Sequence, residues 1–240
     1  MALPRIDVPT FEVDLPLSKL KVTFRPFLVK EQKILLMANE ASDKDTIIRA
    51  IKQVLQNCTI SKIEIDKLPI LDIEYYFLHL RARSIGEIVE LKYKCENEVE
   101  GTVCGGNLDV EFNLLDVQLE NIENYSDVVM INSDIGIKFK YPDFSLYSSI
   151  KEDIDLSDLF LDIIINSIDY IFEGDTLNYA HETPKEELVE FLDALTQEQF
   201  QKIEEHFKNL PVLKKEAKVN CKKCGYEHEI KVENIESFFV

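Results

Sequence analysis

Two short cysteine turns, far apart in the chain, constrain this sequence more than any other feature. The first runs Val89-Glu90-Leu91-Lys92-Tyr93-Lys94-Cys95, then eight residues, then Cys104-Gly105-Gly106. The second runs Ala217-Lys218-Val219-Asn220-Cys221, then two residues, then Cys224-Gly225-Tyr226. Six and eight positions past each second cysteine stand apolar residues, Val110 and Phe112 in one case, Ile230 and Val232 in the other. Strand, cysteine, turn, cysteine-glycine, strand is thus written twice. Thiolates on two tight turns are the usual means of holding a structural zinc ion, tetrahedrally and with no open position. Cys95, Cys104, Cys221 and Cys224 are therefore the predicted ligands of one structural Zn2+. The Cys-x-x-Cys-Gly turn carries most of the signal, and the wider turn gains weight from its echo. The alternative is a set of reduced cysteines that lie on hairpins.

The chain has 240 residues, enough to bury a real core as one large or two small domains. Its mix of 45% hydrophobic and 30% charged residues is that of a soluble globular protein. No apolar run approaches the roughly 20 residues needed to span a bilayer. The start, Met1-Ala2-Leu3-Pro4-Arg5-Ile6-Asp7, lacks a signal-peptide layout, so folding in the cytoplasm is expected. Five cysteines in such a chain point to reduced thiols or metal rather than disulfides. Cys58, the odd one, is expected to pack as a small apolar residue at a helix end. The formal charge of −18 argues against general nucleic-acid binding, which needs clustered Lys and Arg. The basic cluster Lys214, Lys215, Lys218, Lys222 and Lys223 flanks the second cysteine turn, where its charge would favour thiolate.

Taken in order, residues 10–27 read as a hairpin with its turn at Pro16 to Lys19. The chain leaves that strand at Pro26 and enters a helix. A second helix is expected from Ser42, with Asp45 as its capping-box acid, burying Ile47, Ile48, Ile51, Val54 and Leu55. A third runs from about Pro69 to Gly86 and carries Ile73, Tyr76, Phe77 and Leu80 inward. Residues 113–134 are polar and acidic. After them Ile135-Gly136-Ile137-Lys138-Phe139-Lys140-Tyr141-Pro142 resembles Leu20-Lys21-Val22-Thr23-Phe24-Arg25-Pro26. Phe24 to Phe139 is a shift of 115 and Cys104 to Cys224 one of 120, which suggests a repeated plan.

The predicted fold is therefore α+β, in two similar halves. Each half has helices plus short antiparallel strands carrying a cysteine knuckle, and a zinc-ribbon-like site joins them. The expected boundaries are 1–112, an acidic connection at 113–134, and 135–240. Within the second half, 156–172 reads as one very apolar helix that is either central to the core or covered by another chain near Phe160, Ile164 and Ile168. Capping boxes at Thr183-Pro184-Lys185-Glu186 and Thr196-Gln197-Glu198-Gln199 start two further helices. The end, Ile235-Glu236-Ser237-Phe238-Phe239-Val240, reads as a packed terminus or a docking peptide.

No catalytic arrangement is legible. The chain holds seven glycines and neither phosphate-cradling glycine motif, so a nucleotide or other small-molecule ligand is not expected. His79 reads as a core histidine, His181 and His206 as surface residues. His228 is the alternative zinc ligand, but alternation with Ile230 and Val232 predicts it on the sheet face away from the cysteines. Nothing assembles a nucleophile with its base, so no enzyme is expected.

Phe24-Arg25-Pro26-Phe27-Leu28-Val29-Lys30-Glu31-Gln32-Lys33-Ile34-Leu35-Leu36 resembles the signature of the T4-like bacteriophage baseplate protein family. Ile51-Lys52-Gln53-Val54-Leu55-Gln56-Asn57-Cys58 looks like its next block. Leu68-Pro69-Ile70-Leu71-Asp72-Ile73-Glu74-Tyr75-Tyr76-Phe77, with Arg81-Ala82-Arg83-Ser84-Ile85-Gly86-Glu87, looks like the third. The blocks cover about residues 10–110, and the later part matches mainly at Cys221-Lys222-Lys223-Cys224-Gly225. The gap between Cys95 and Cys104 is longer than the family pattern. The resemblance implies a non-enzymatic protein of tailed-phage morphogenesis, a baseplate hub subunit or a hub assembly factor. Its partners would be other hub or tail proteins, in the host cytoplasm during assembly or in the virion baseplate. The alternatives are a zinc-stapled binding module or chaperone absent from the virion, and a nucleic-acid-binding zinc ribbon. The ribbon would need a basic face where Glu96, Glu98, Glu100, Glu227 and Glu229 crowd instead.

Overall fold

Alternating apolar residues at both ends of Pro16–Lys19 pair as the pattern demands. In the computed structural model, which describes residues 6–41, 43–143, 156–214 and 216–231, β1 (Phe11–Asp14) lies antiparallel to β2 (Lys21–Phe24). Phe11 faces Phe24 and Val13 faces Val22 across this hairpin. Lys19 adopts a left-handed φ of 58° in the turn. The fully buried Asp72 braces the same turn by accepting the N–H groups of Leu17 and Ser18, each at 2.8 Å.

The stretch after Pro26 becomes α1 (Val29–Ala41), tied back to the strand by a buried ion pair. Arg25 Nη2 donates to Glu31 Oε1 at 3.1 Å, and Glu31 has no solvent exposure. Burial pushes the Glu31 carboxyl up, but the Arg25 guanidinium and the Leu28 N–H outweigh it and hold the group below its ordinary range. Arg25 also reaches the carbonyls of Pro26 and Asn57, so this pair ties strand end, helix start and the following helix together.

α2 (Lys44–Cys58) buries Ile47, Ile51, Val54 and Leu55 of the expected face, while Ile48, expected with them, is half-buried. Its cap differs from expectation. Asp43 is the N-cap, its side chain accepting the Thr46 N–H at 2.9 Å, so Asp45 is not at the capping-box position; Ser42 lies outside the described residues. Cys58, at the helix end, is fully buried, and that burial pushes its thiol up to about 11. After a 3-10 turn at Ile65–Lys67, α3 (Ile70–Ser84) buries Ile73, Tyr76, Phe77 and Leu80 as expected.

β3 (Ile88–Lys94) then leads to the first cysteine turn, which contains a two-strand excursion, β4 (Glu98–Val99) and β5 (Thr102–Val103), before β6 (Asn107–Asn113) returns antiparallel to β3. Val89, Leu91 and Tyr93 sit opposite Phe112, Val110 and Leu108, while the intervening residues face solvent. β7 (Gln118–Glu120) and β8 (Val128–Met130) give structure to part of the acidic stretch that the sequence left as a connection.

β9 (Ile135–Phe139) follows, and then α4 (Leu156–Ser167). The helix expected to run to residue 172 stops here. Ile168–Glu173 is β10, which pairs with β9 and with β11 (Thr176–Tyr179). The physical reason is a two-residue Gly174-Asp175 turn with Gly174 at φ 55°, a hairpin signal that pairs Glu173 with Thr176. Strand order in this sheet is β11-β10-β9-β8. α5 (Lys185–Asp193) and α6 (Gln197–Lys208) complete this part. Thr196 and Gln199 form the expected capping box. Thr183 does not cap α5; its hydroxyl donates to the Tyr179 carbonyl instead, and Pro184 holds the N-cap position. The chain continues through β12 (Val212–Lys214) to β13 (Glu216–Asn220), the second cysteine turn and β14 (Glu227–Lys231). The apolar terminus read at 235–240 lies outside the described residues.

These elements form a mixed helix-and-strand protein with six α-helices among the described residues and short antiparallel sheets. They fall into two compact units. The first takes the described residues up to Ile65, Leu71–Leu119, and those from Leu213 onward. The second takes Asp66–Ile70 and Glu120–Val212. The second cysteine turn, read from sequence as part of a C-terminal half, thus belongs to the same unit as the first. The core of the second unit centres on Ile137, Phe139, Ile164, Ile168 and Ile203. Ile164 and Ile168 are 0% and 1% exposed, so the apolar helix is central to this core and those two residues offer no surface to another chain.

Candidate metal centre

The two cysteine turns are built alike despite their different lengths. In the second, the Gly225 N–H donates to the Cys221 carbonyl and the Cys221 N–H to the Tyr226 carbonyl, both at 2.8 Å. In the first, the Gly105 N–H donates to the Cys95 carbonyl at 2.9 Å and the Cys95 N–H to the Gly106 carbonyl at 2.8 Å. Gly105 and Gly225, each directly after the second cysteine, have φ of 63° and 76°, a region that favours glycine. The long gap is absorbed by the β4–β5 hairpin. Its tip, Glu100-Gly101, has both φ values positive, as a two-residue type I′ turn requires, and the Cys104 N–H closes its base on the Asn97 carbonyl at 2.8 Å. The excursion leaves the cysteine geometry intact.

The turns bring the four predicted cysteines together. Their sulfurs all lie within 4.8 Å of one another. Cys95 Sγ stands 3.6 Å from Cys224 Sγ, and Cys104 Sγ stands 3.8 Å from Cys221 Sγ. Four thiolates placed tetrahedrally around an ion at about 2.3 Å would be separated by about 3.8 Å. Cys95, Cys104 and Cys221 are buried and Cys224 is half-buried, so four reduced thiols are packed where a metal ion fits.

The surroundings supply hydrogen-bond donors to the sulfurs. The backbone N–H groups of Cys224 and Lys223 point at Cys221 Sγ and bring that thiol down to about 6, with Lys223 N at 3.4 Å. The Tyr226 N–H likewise lowers Cys224, whose sulfur also lies 3.8 Å from Asn97 Nδ2. Burial pushes Cys95 the other way, up to about 12. At Cys221 and Cys224 backbone N–H groups, rather than the lysine charges expected to do it, are the main cause favouring thiolate. The lysines have other partners: Lys222 faces Asp109 at 3.6 Å, Lys214 and Lys231 flank Glu216, and Lys223 Nζ binds the Cys104 carbonyl. Lys215 lies outside the described residues.

Two contributors carry no local sequence signal, and a third lies on the opposite face from the one expected. Gly106 lies so close to the cluster that a Cβ there would stand 2.8 Å from Cys221 Sγ. Asn97 adds its side-chain amide. His228, expected to face away, has Nε2 3.1 Å from Cys95 Sγ. The parity was right, since His228 and Ile230 are both half-buried between the exposed Glu227, Glu229 and Lys231, but their shared face is the one turned to the cysteines. The remaining histidines take no part. His79 packs on Tyr75 at 4.5 Å, and His181 is exposed. His206, read as a surface residue, is half-buried and stacks on Phe139 at 5.0 Å, where burial lowers its pKa.

Among the described residues no helix is long and apolar enough to cross a membrane. The family model described as T4 bacteriophage base plate protein matches residues 8–240, nearly the whole chain. No curated protein and no solved structure matches it.

Proposed function

Because this chain belongs to the T4 bacteriophage base plate protein family, we propose that it is a non-enzymatic component of the tail baseplate hub, or a factor that assembles the hub. It works through contacts with other hub or tail proteins and is braced by a structural zinc ion on Cys95, Cys104, Cys221 and Cys224. The family match carries the biological role, and the convergence of four sulfurs carries the zinc. Bound there, zinc supplies a cross-link rather than reactivity, since four thiolates leave no position open for substrate. The protein's own part is to present the thiolates. Two glycine turns set their spacing, backbone N–H groups stabilise their charge, and the β3–β6 and β13–β14 ribbons hold the turns. Exposed Glu96, Glu98, Glu100, Glu227 and Glu229 around the cluster favour a protein partner over nucleic acid, whose phosphates they would repel.

Affinity purification from infected cells, followed by mass spectrometry of finished virions, tests the role. Recovery with tail proteins and in virions identifies a hub subunit, resident in the baseplate after assembly in the host cytoplasm. Recovery with tail proteins but not in virions identifies an assembly factor or chaperone. Recovery with no tail protein defeats both.

A further inference from the structure

The β11-β10-β9-β8 sheet turns one face to the core of the second unit, through Val129, Ile137 and Ile171. The solvent face of such an antiparallel sheet is ordinarily polar. Here it is apolar and aromatic. Leu177 lies opposite Phe172, Tyr179 lies opposite Tyr170, and the Phe172 ring and Met130 Sδ meet over Gly136. Met130, Leu177 and Tyr179 are 43%, 45% and 37% exposed, so the patch is open to water.

The same sheet has an open edge at β11. The Gly174 N–H donates to the Asp134 carbonyl, and in antiparallel strands bonded and non-bonded pairs alternate. Phe172 therefore bonds through its backbone to Gly136 on β9, which leaves Ile171 and Glu173 to bond Asn178 and Thr176 on β11. The N–H and C=O groups of Leu177 and Tyr179 consequently point away from the sheet. Thr183 occupies the Tyr179 carbonyl, but neither group of Leu177 has a partner among the described residues. The opposite edge is closed, since Ser126 Oγ holds both groups of Val128 and Lys202 Nζ reaches the Met130 carbonyl. The charge beside the open edge is one-sided. Asp134, Glu173 and Asp175 gather at its turn end, where no described cation pairs with them, while Lys138 is matched by Asp127 at 2.8 Å.

We propose, resting on the partner role above, that β11 docks an extended segment of another tail protein as a fifth strand, one that alternates apolar residues and carries Lys or Arg beside Gly174-Asp175. Backbone bonds to Leu177 supply the pairing, and alternate side chains of the added strand continue the Leu177–Tyr179 face. The three carboxylates select a basic segment. They and the formal charge of −18 disfavour a second copy of this chain.

Photo-crosslinking in infected cells tests this, with the full chain carrying Tyr179→p-benzoylphenylalanine and the crosslinked peptide sequenced by mass spectrometry. The expected product is a basic, alternately apolar segment of another tail protein. Leu177→Pro removes only an outward N–H and takes nothing from the ladder to β10, so the crosslink is expected to fall about fivefold or more while the fold is kept. Glu173→Lys combined with Asp175→Lys is expected to lower it about threefold or more. An undiminished crosslink in either variant overturns the proposal, as does a crosslink to a second copy of this chain. Where Leu177→Pro unfolds the second unit, the charge variant decides alone. Recovery of tail proteins with the chain, but no crosslink from residue 179, overturns the docking edge and leaves the partner role standing. Recovery of no tail protein overturns both.

Discussion

Gly106 is the residue whose role turns most sharply on its surroundings. Its φ is not positive, so no turn requires glycine there. The requirement is space: a Cβ would meet Cys221 Sγ at 2.8 Å, Lys223 Cβ at 3.1 Å and Cys104 Sγ at 3.5 Å. Gly106→Ala should therefore push the two knuckles apart, lower stability by about 1–3 kcal/mol and weaken metal binding. Thermal melting and chelator competition read both effects, and a variant as stable and as metal-tight as the parent would remove the close-approach argument. Cys104-Gly105-Gly106 was visible as a turn, and its first glycine has the left-handed conformation a turn explains. The second glycine answers to a cysteine 115 positions away, and no local pattern encodes that neighbour. His228 failed in a different way. Period-two alternation correctly paired it with Ile230, but it cannot say which of two faces is the inner one.

At the level of elements, the informative departure is the switch from α4 to β10. Ile163, Ile164, Ile165, Ile168 and Ile171 satisfy helical spacing, yet β-branched residues are equally at home in strands. A partner strand decides between them, and β9 is that partner, with Ile171 opposite Ile137 and Phe172 opposite Gly136. The Phe172 ring lies so close over Gly136 that a Cβ there would come within 2.3 Å of it. Gly136→Ala is expected to displace this ring and destabilise the second unit by about 1–3 kcal/mol, measured by urea unfolding. Unchanged stability would show that the ring relocates freely and that the glycine is incidental. The Gly174-Asp175 turn was the available sequence signal for this hairpin, and the length of the apolar run masked it.

Across the whole molecule, the second unit's Glu120–Val212 is inserted between stretches of the first, and the chain returns to the first unit for its second cysteine turn. One ion on all four sulfurs would clamp two ribbons whose facing cysteines, Cys104 and Cys221, are 117 positions apart. Closing so long a loop in the unfolded chain is entropically costly, so the clamp should contribute on the order of 4 kcal/mol. Replacing both Cys221 and Cys224 with serine should accordingly lower the melting temperature, cut soluble yield and impair complementation of a phage lacking the gene. Replacing Glu227 and Glu229 with glutamine, on the exposed side of the same ribbon, should do little. Purified parent is expected to hold about one zinc per chain and to lose stability when chelated. Elemental analysis without metal, or a double-serine variant that melts and complements like the parent, would defeat the clamp.

By itself the sequence determined the α+β character, the first hairpin, most of the inward faces of α2 and α3, the Thr196 cap and the two cysteine turns. Each of these depends on residues a few positions apart, where periodicity and turn chemistry act directly. Only the tertiary structure decided which unit receives the second knuckle, where the apolar helix gives way to strand, and that His228 faces the sulfurs. Each of those depends on which distant segment is packed alongside: β9 for Ile168–Glu173, the β3–β6 ribbon for the last two strands, Cys95 for His228. Local sequence sets what a segment is able to do, and burial against a partner far along the chain selects which of those options the folded protein uses.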